Sequence, residues 1–290
     1  MPATATPVPL RPGALWMLVG AIASVQVGAA LAKDLFGQVT PTSMTWLRLA
    51  SASVVLVVML SLRQARRRHL PKQPAEPRSW REGLVYAAFL VVMNWSIYEA
   101  FARLPLGVAV TIEFLGPLGV AVFGSRRLLD LGWAALALFG VVLLSFTPTH
   151  MDPVGVMFAL VAAACWGGYI VSAARVGTSW HALDALTLAC VLGTVVLAVP
   201  GISQGGATLW QPQVLVAGIG VGLLSSVLPY SLEMAALRFI PTRVFGILMS
   251  AEPAVAALAA FVVLREALSP TDVVAMICVT IASVGAARTA

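Results

Sequence analysis

Apolar residues along this chain neither alternate nor mark one helix face. They fill whole stretches of about twenty residues. Ten stretches stand out, at 13–32, 42–62, 83–102, 106–124, 131–147, 154–173, 184–200, 213–235, 243–263 and 270–287. About 20 mostly apolar residues make a helix long enough to cross the hydrocarbon core of a bilayer. Lipid offers the backbone no hydrogen-bond partner, so a crossing segment takes up the helix, which satisfies its own groups. A membrane β-barrel would show alternating segments of about ten residues, and the unbroken run Ser53–Leu60 does not alternate. The pattern predicts an all-α polytopic membrane protein with ten transmembrane helices and short loops. Residues 1–12, with prolines at positions 2, 7, 9 and 12, read as a disordered tail. They lack the basic start and small-residue cleavage site of a signal peptide.

Composition narrows the alternatives. Of 290 residues, 60% are hydrophobic and 10% charged, and mean hydropathy is +0.93. A soluble chain carries about 25% charged residues, so a soluble fold of this size lacks the charge to cover its surface. Disorder is excluded by the amount of apolar area. Cys165, Cys190 and Cys278 all sit inside apolar runs, which excludes a disulfide framework.

Lys and Arg in the loops set orientation. With a cytoplasmic N-terminus, the inner side holds 14 of them: Arg11, seven from Arg63 to Arg81, Arg126, Arg127, Arg175, Arg238, Arg243 and Arg288. The outer side holds three, Lys33, Arg103 and Arg265, and Arg48 lies within a span. Both termini are therefore expected in the cytoplasm. The net charge of +6 is then a matter of topology and of inner loops near anionic lipid, and no nucleic-acid partner is expected.

The chain also matches itself. Asn94–Val122 aligns with Tyr230–Leu258 at an offset of 136 residues, with Pro105 on Pro241, Pro117 on Pro253, Ala100 on Ala236 and Val108 on Val244. The natural reading is two five-helix halves, 13–147 and 154–287. An odd number of spans per half inserts the second half upside down. Inverted repeats of this kind are common in secondary transporters, which bind substrate near the midplane between the halves.

Carboxylates near the bilayer centre cost about 2.5–3.5 kcal/mol each on the insertion scale. Glu113 lies near the middle of the fourth span, four residues before Pro117, and Glu252 lies near the middle of the ninth, immediately before Pro253. Proline removes a backbone donor and frees carbonyls in the preceding turn. Irregular backbone at this depth is tolerated where it lines a cavity. The functional reading is a shared polar cavity with Pro117 and Pro253 as hinges. The structural alternative is an ion pair, for example Glu113 with Arg48. Glu233 shares a face with Tyr230 and either looks inward or snorkels to the headgroups. Glu99 is expected to cap the outer edge of its span near Arg103.

Other polar and aromatic residues are candidate substrate contacts. Asn94 and Tyr98 are four apart on one face of the third span. Gln26 interrupts the first, as helix glue or as a contact. Trp166 and Tyr169 lie too deep for interfacial anchors and read as packing or as a cavity wall. Gly116–Gly119 and Gly218–Gly222 sit in apolar spans with no preceding strand, so helix packing suits them better than nucleotide binding. His69, His150 and His181 are scattered, and HExxH and P-loop motifs are absent. No metal, cofactor or enzyme activity is expected.

The stretch Thr111–Arg127 resembles the fourth span of the bacterial threonine/homoserine exporters. Leu228–Arg238, Pro241–Pro253, Ser24–Lys33 and Cys165–Tyr169 fit the same pattern. These exporters belong to the EamA branch of the drug/metabolite transporter superfamily, and the resemblance runs from about Ala14 to Val284. It implies ten helices in two inverted halves and export of amino acids across the bacterial inner membrane. The broader amino-acid exporters of the superfamily are similar too, so a wide cargo range stays open.

A zwitterionic amino acid needs two opposite partners. Glu113 or Glu252 could hold its ammonium. Asn94, Gln26, Trp166 or a helix N-terminus at a proline break could meet its carboxylate. Tyr98, Tyr169 and Tyr230 would receive its side chain. The candidate substrate-binding set is therefore Gln26, Asn94, Tyr98, Glu113, Trp166, Tyr169, Tyr230, Glu233 and Glu252. Protonation of an emptied carboxylate from outside would couple export to a proton, although facilitated diffusion needs no titrating group. Rival readings are an exporter of drugs or other metabolites, and a channel or scaffold. Oligomeric state is not set by the sequence.

Overall fold

A computed structural model of the protein describes residues 12–67, 79–123, 128–144, 152–236, 239 and 242–289. The tail expected over 1–12, apart from Pro12, lies outside the described residues, as do Arg68, His69, Lys72, Arg78, Arg126, Arg127, His150 and Arg238. Among the described residues every regular element is helical. In chain order they are α1 (Pro12–Asp34), α2 (Pro41–Arg67), α3 (Trp80–Phe101), α4 (Leu106–Glu113), α5 (Leu115–Phe123), α6 (Leu128–Leu144) and α7 (Pro153–Val176). They continue as α8 (Ala182–Val196), α9 (Ala198–Gly205), α10 (Pro212–Gly222), α11 (Leu228–Ala236), α12 (Thr242–Met249), α13 (Glu252–Ala259) and α14 (Pro270–Thr289). Two π-helical segments, Leu223–Val227 and Ala260–Leu264, follow α10 and α13.

Each apolar stretch falls on helix, but the stretches are not equally long. Among the described residues seven helical stretches are long and apolar enough to cross a membrane, and the pair α8 and α9, bent by 52°, makes an eighth if counted as one span. The remaining two, within α6 and α14, are apolar only over Leu131–Leu143 and Pro270–Ala286. Large apolar side chains face outward all round. Phe123 is 92% exposed, and Trp16, Val54, Val199 and Val216 are also bare. In water such a surface would aggregate. In a bilayer it is the solvated face.

The two spans that the self-match pairs break one turn ahead of their proline. α4 ends at Glu113, with Phe114 outside it, although the proline is Pro117. α12 ends at Met249 and α13 starts at Glu252, ahead of Pro253. The cause is the missing proline N–H, whose helical acceptor would be the carbonyl four residues back. Those carbonyls belong to Glu113 and Met249. The Leu118 N–H to Phe114 carbonyl bond is already stretched to 3.4 Å. The start and end of α12 lie 136 residues after those of α4, the same offset as the self-match.

The helices pair across the chain. α3 packs on α7, and α1 on α11. α2 packs on α8, α4 on α13, and α6 on α14. The largest buried cluster gathers Ala30, Met44, Phe101, Leu104, Leu106, Ala256 and Ala260 toward the end that carries Lys33. A second joins α2, α3 and α8 around Leu56, Tyr86 and Ala189.

Small residues permit the closest approach. A Cβ on Gly116 would collide with the Ala163 carbonyl on α7, and Gly167 faces Gly116 in return. A backbone oxygen cannot rotate away. Gly116→Ala is therefore expected to cost about 1–3 kcal/mol through overpacking, seen as a Tm several degrees lower in detergent. Gly132 on α6 has nothing within 4 Å of an added Cβ. Gly132→Ala should leave Tm unchanged or raise it, and equal shifts for the two variants would contradict this packing.

Candidate functional site

The proline breaks deliver two carboxylates to the interior. Glu113 ends α4 and Glu252 opens α13, helices that pack on each other. They are 9% and 6% exposed. Among the described residues no hydrogen bond or ion pair engages either carboxylate. Glu252 lies within electrostatic reach of Glu113 and of Glu233, so the self-match and the local chemistry converge on one acidic site. Glu233 also acts on Tyr169, which places it on the inward side of α11. The two breaks are not equivalent. Glu252 sits in the first turn of its helix, where the dipole is positive, and Glu113 in the last turn of its own, where it is negative.

The charge acting on Glu113 is Arg48 on α2. The two make no direct ion pair. Arg48 donates instead to α2's neighbour across the chain halves. Its Nη2 reaches the Ser225 carbonyl at 2.8 Å and its Nε the Ser226 hydroxyl at 3.2 Å. Its guanidinium carbon stands 5.3 Å from the ring centre of Tyr98. Ser225 and Ser226 belong to the π-helical segment, a form common at functional sites. Ser24 on α1 takes a second carbonyl of that segment, Leu224, at 2.6 Å.

The tyrosines gather at one point. The Tyr169 and Tyr230 hydroxyls are 2.6 Å apart, Tyr86 to Tyr230 is 3.0 Å, and Tyr86 to Tyr169 is 3.4 Å. They come from α3, α7 and α11. Tyr86 is absent from the candidate set drawn from sequence. Its signal was there, because all four tyrosines of the chain lie inside apolar stretches. The fourth, Tyr98, is fully buried behind Arg48, and its hydroxyl has no hydrogen-bond partner.

The remaining candidates are spread around this centre. Trp166 meets Phe114, the residue at the first break, edge to face at 5.3 Å. Asn94 donates to the Leu90 carbonyl of its own helix at 2.8 Å. Gln26 is buried, and its side-chain oxygen finds no partner. A groove of about 850 Å³ runs between α3, α5 and α7 past Phe89, Gly116, Gly119 and Gly168. None of the carboxylates lines it, so the acidic site is the better candidate for a polar ligand.

The end that carries Lys33 is sealed by polar contacts. Lys33 Nζ pairs with Glu266 at 2.6 Å and donates to the Leu104 carbonyl at 2.6 Å. The other oxygen of Glu266 accepts from the Leu106 N–H at 2.9 Å. Glu99 pairs with Arg103 at 2.8 Å and accepts from Thr42 at 2.8 Å, as its position near Arg103 led us to expect. Arg103 also reaches Asp152, the N-cap of α7, at 3.8 Å. Lys33 with Glu266, and Arg103 with Asp152, each tie the first part of the chain to the second.

Known proteins resemble this chain throughout its length. The pattern of the EamA-like transporter family matches residues 153–288. The threonine/homoserine exporter RhtA of Escherichia coli (strain K12) is 38% identical, over 97% of this chain and 94% of that protein. RhtA of Salmonella typhimurium (strain LT2) is 37% identical, over 100% and 96%. One solved crystal structure shares the fold with a TM-score of 0.65 at 20% identity, covering 97% of this chain and 98% of that one.

The polar seal has a direct test. Ala109 lies on α4 just beneath it and is fully buried. In a chain whose three native cysteines are replaced by Ser, Ala109→Cys should react slowly with a hydrophilic maleimide. Adding Lys33→Gln should raise that rate about tenfold, because two of the contacts over Ala109 are lost. Equal rates would show that the ion pair does not close this end.

Proposed function

Since the chain belongs to the EamA-like transporter family, we propose that it exports amino acids of the threonine/homoserine type from the bacterial cytoplasm across the inner membrane. The observation that carries this reading is the pair of mid-depth carboxylates without a protein partner, one at each helix break. A charged group that deep survives when it looks onto a polar passage. An ammonium group is the partner that the acidic site lacks.

The proposal includes ten spans in two inverted halves, 13–147 and 154–287, with both termini in the cytoplasm. The helix pairings support it. Exchanging the halves sends α1 to α7 and α3 to α10 with α11, so the contact of α3 with α7 maps onto that of α1 with α11. The contacts of α2 with α8 and α6 with α14 map onto themselves. The excess of Lys and Arg in loops on the side of the termini supports the orientation. In that orientation the Lys33–Glu266 seal is on the outside, and the protein described is closed to the periplasm.

In the proposed cycle an amino acid enters from the cytoplasm and places its ammonium between Glu113 and Glu252. Glu233 extends the acidic surface, and Tyr169 and Tyr230 form the wall against its side chain. The bends ahead of Pro117 and Pro253 serve as hinges. Rocking of the halves then breaks the outer seal and releases the substrate. A proton from outside neutralises the emptied site and returns with it.

Glu113→Gln and Glu252→Gln test this in proteoliposomes. Labelled threonine should show saturable counterflow through the unaltered protein, and its net export should be faster under a proton gradient directed inward, opposite to the substrate. Each variant should lose at least tenfold in rate and should no longer respond to the gradient. Unaltered rate and pH response in both variants would remove the carboxylates from the mechanism, and non-saturable leak would point to a channel.

A further inference from the structure

We infer that Arg48 is the anchor for the substrate's carboxylate, so that the site selects free α-amino acids over their amides and amines. The inference rests on the amino-acid reading above and adds the half of the zwitterion that the acidic site leaves unmatched.

Four observations lead to Arg48. It is a cation seven residues inside α2, roughly 10 Å along the helix axis from Pro41, within a span where guanidinium groups are rare and functional. Its Nε edge is committed to Ser226 and to the Ser225 carbonyl, which fixes the plane of the group. A guanidinium has five N–H donors, and among the described residues Nη1 has no partner. The group is therefore held along one edge and free at the other. Its face lies on Tyr98, which limits the ways it can turn. Finally, Arg48 acts electrostatically on Glu113 without pairing with it. An α-amino acid carries its two opposite charges on groups attached to one carbon, so it can bridge a cation and an anion that do not touch.

Asn94, Gln26 and Trp166 are weaker anchors. Asn94 already spends an amide hydrogen on its own helix. Gln26 has an amide NH2 that can donate, but it carries no charge. Trp166 packs on Phe114 and is neutral. A charged, oriented N–H group forms the stronger bond and rejects a ligand that lacks the negative charge.

The alternative role for Arg48 is purely structural, as a staple on the π-helical carbonyl. The two roles differ in what they do to substrate preference. In counterflow of labelled threonine through proteoliposomes, unlabelled threonine should compete at least 100-fold better than threonine amide, which keeps the ammonium and the side chain. In Arg48→Gln the KM for threonine should rise about 100-fold, while the weak competition by the amide is unchanged, so the preference collapses. Arg48→Lys keeps the charge but loses the fork, and should retain a preference of about tenfold. A staple alone would change Tm and rate but leave the preference at its original value in both variants, and that result would overturn the inference. If Arg48→Gln does not fold, the unaltered protein still decides it, because equal competition by threonine and its amide also overturns it. Absence of any threonine counterflow through the unaltered protein ends the amino-acid reading itself. Counterflow with an unchanged preference in the variants ends only the role of Arg48.

Discussion

A carboxylate buried among apolar helices is costly to keep, and this protein has two of them, 9% and 6% exposed. Glu113 and Glu252 are placed where the helical ladder fails, so that charge and loosened backbone share one interior space. The rest of the fold serves that arrangement. Long apolar helices surround the site with a lipid-compatible exterior. Glycines such as Gly116 let the backbones of α5 and α7 come into contact. Aromatic groups, Trp166 on Phe114 and Tyr98 beneath Arg48, fill the space around the charges without supplying ionic partners to them.

The contacts that hold the two ends apart differ in kind. At the Lys33 end, charged groups meet charged groups and backbone carbonyls. Near the middle, three tyrosines share hydrogen bonds among neutral hydroxyls. Neutral bonds of that type exchange at low cost because each partner can turn to another. The π-helical segment adds a dependence between distant parts of the chain. Its carbonyls at Leu224 and Ser225 are satisfied by Ser24 and Arg48. Side chains from the beginning of the chain thus complete the backbone bonding of α10 and α11.

Much of this was legible in the sequence, for identifiable reasons. An apolar run of twenty residues has few outcomes in lipid, so the helices could be read directly. Glu113 and Glu252 could be read because charge is so costly there that its presence implies a cavity. The Glu99–Arg103 pair was legible because four residues make one helical turn. What escaped depended on tertiary contact. Nothing local to Lys33 indicates Glu266, because the two are brought together only by the packing of α1 beside the segment after α13. Arg48 was visible as a cation within a span, and its partner carbonyl lies four residues before Pro229, whose missing N–H leaves the Ser225 oxygen without a helical donor, a signal the sequence reading did not use. The prolines showed that two spans break. They did not show that each break falls one turn earlier, where the orphaned carbonyl lies. The bend between α8 and α9 also falls one turn ahead of a proline, Pro200, whose helical acceptor would be the Val196 carbonyl at the end of α8, and the sequence reading did not use that signal.

The two helices that lead into the breaks, α4 and α12, have eight residues each. Eight residues rise about 12 Å, less than half of the roughly 30 Å hydrocarbon thickness. A span made of two short rods joined by a bend can accommodate a thicker or thinner bilayer by changing the angle between the rods, where a straight helix must tilt as a whole. Hydrophobic mismatch is then absorbed at the joint. The contact of α4 with α13 holds the two breaks beside each other.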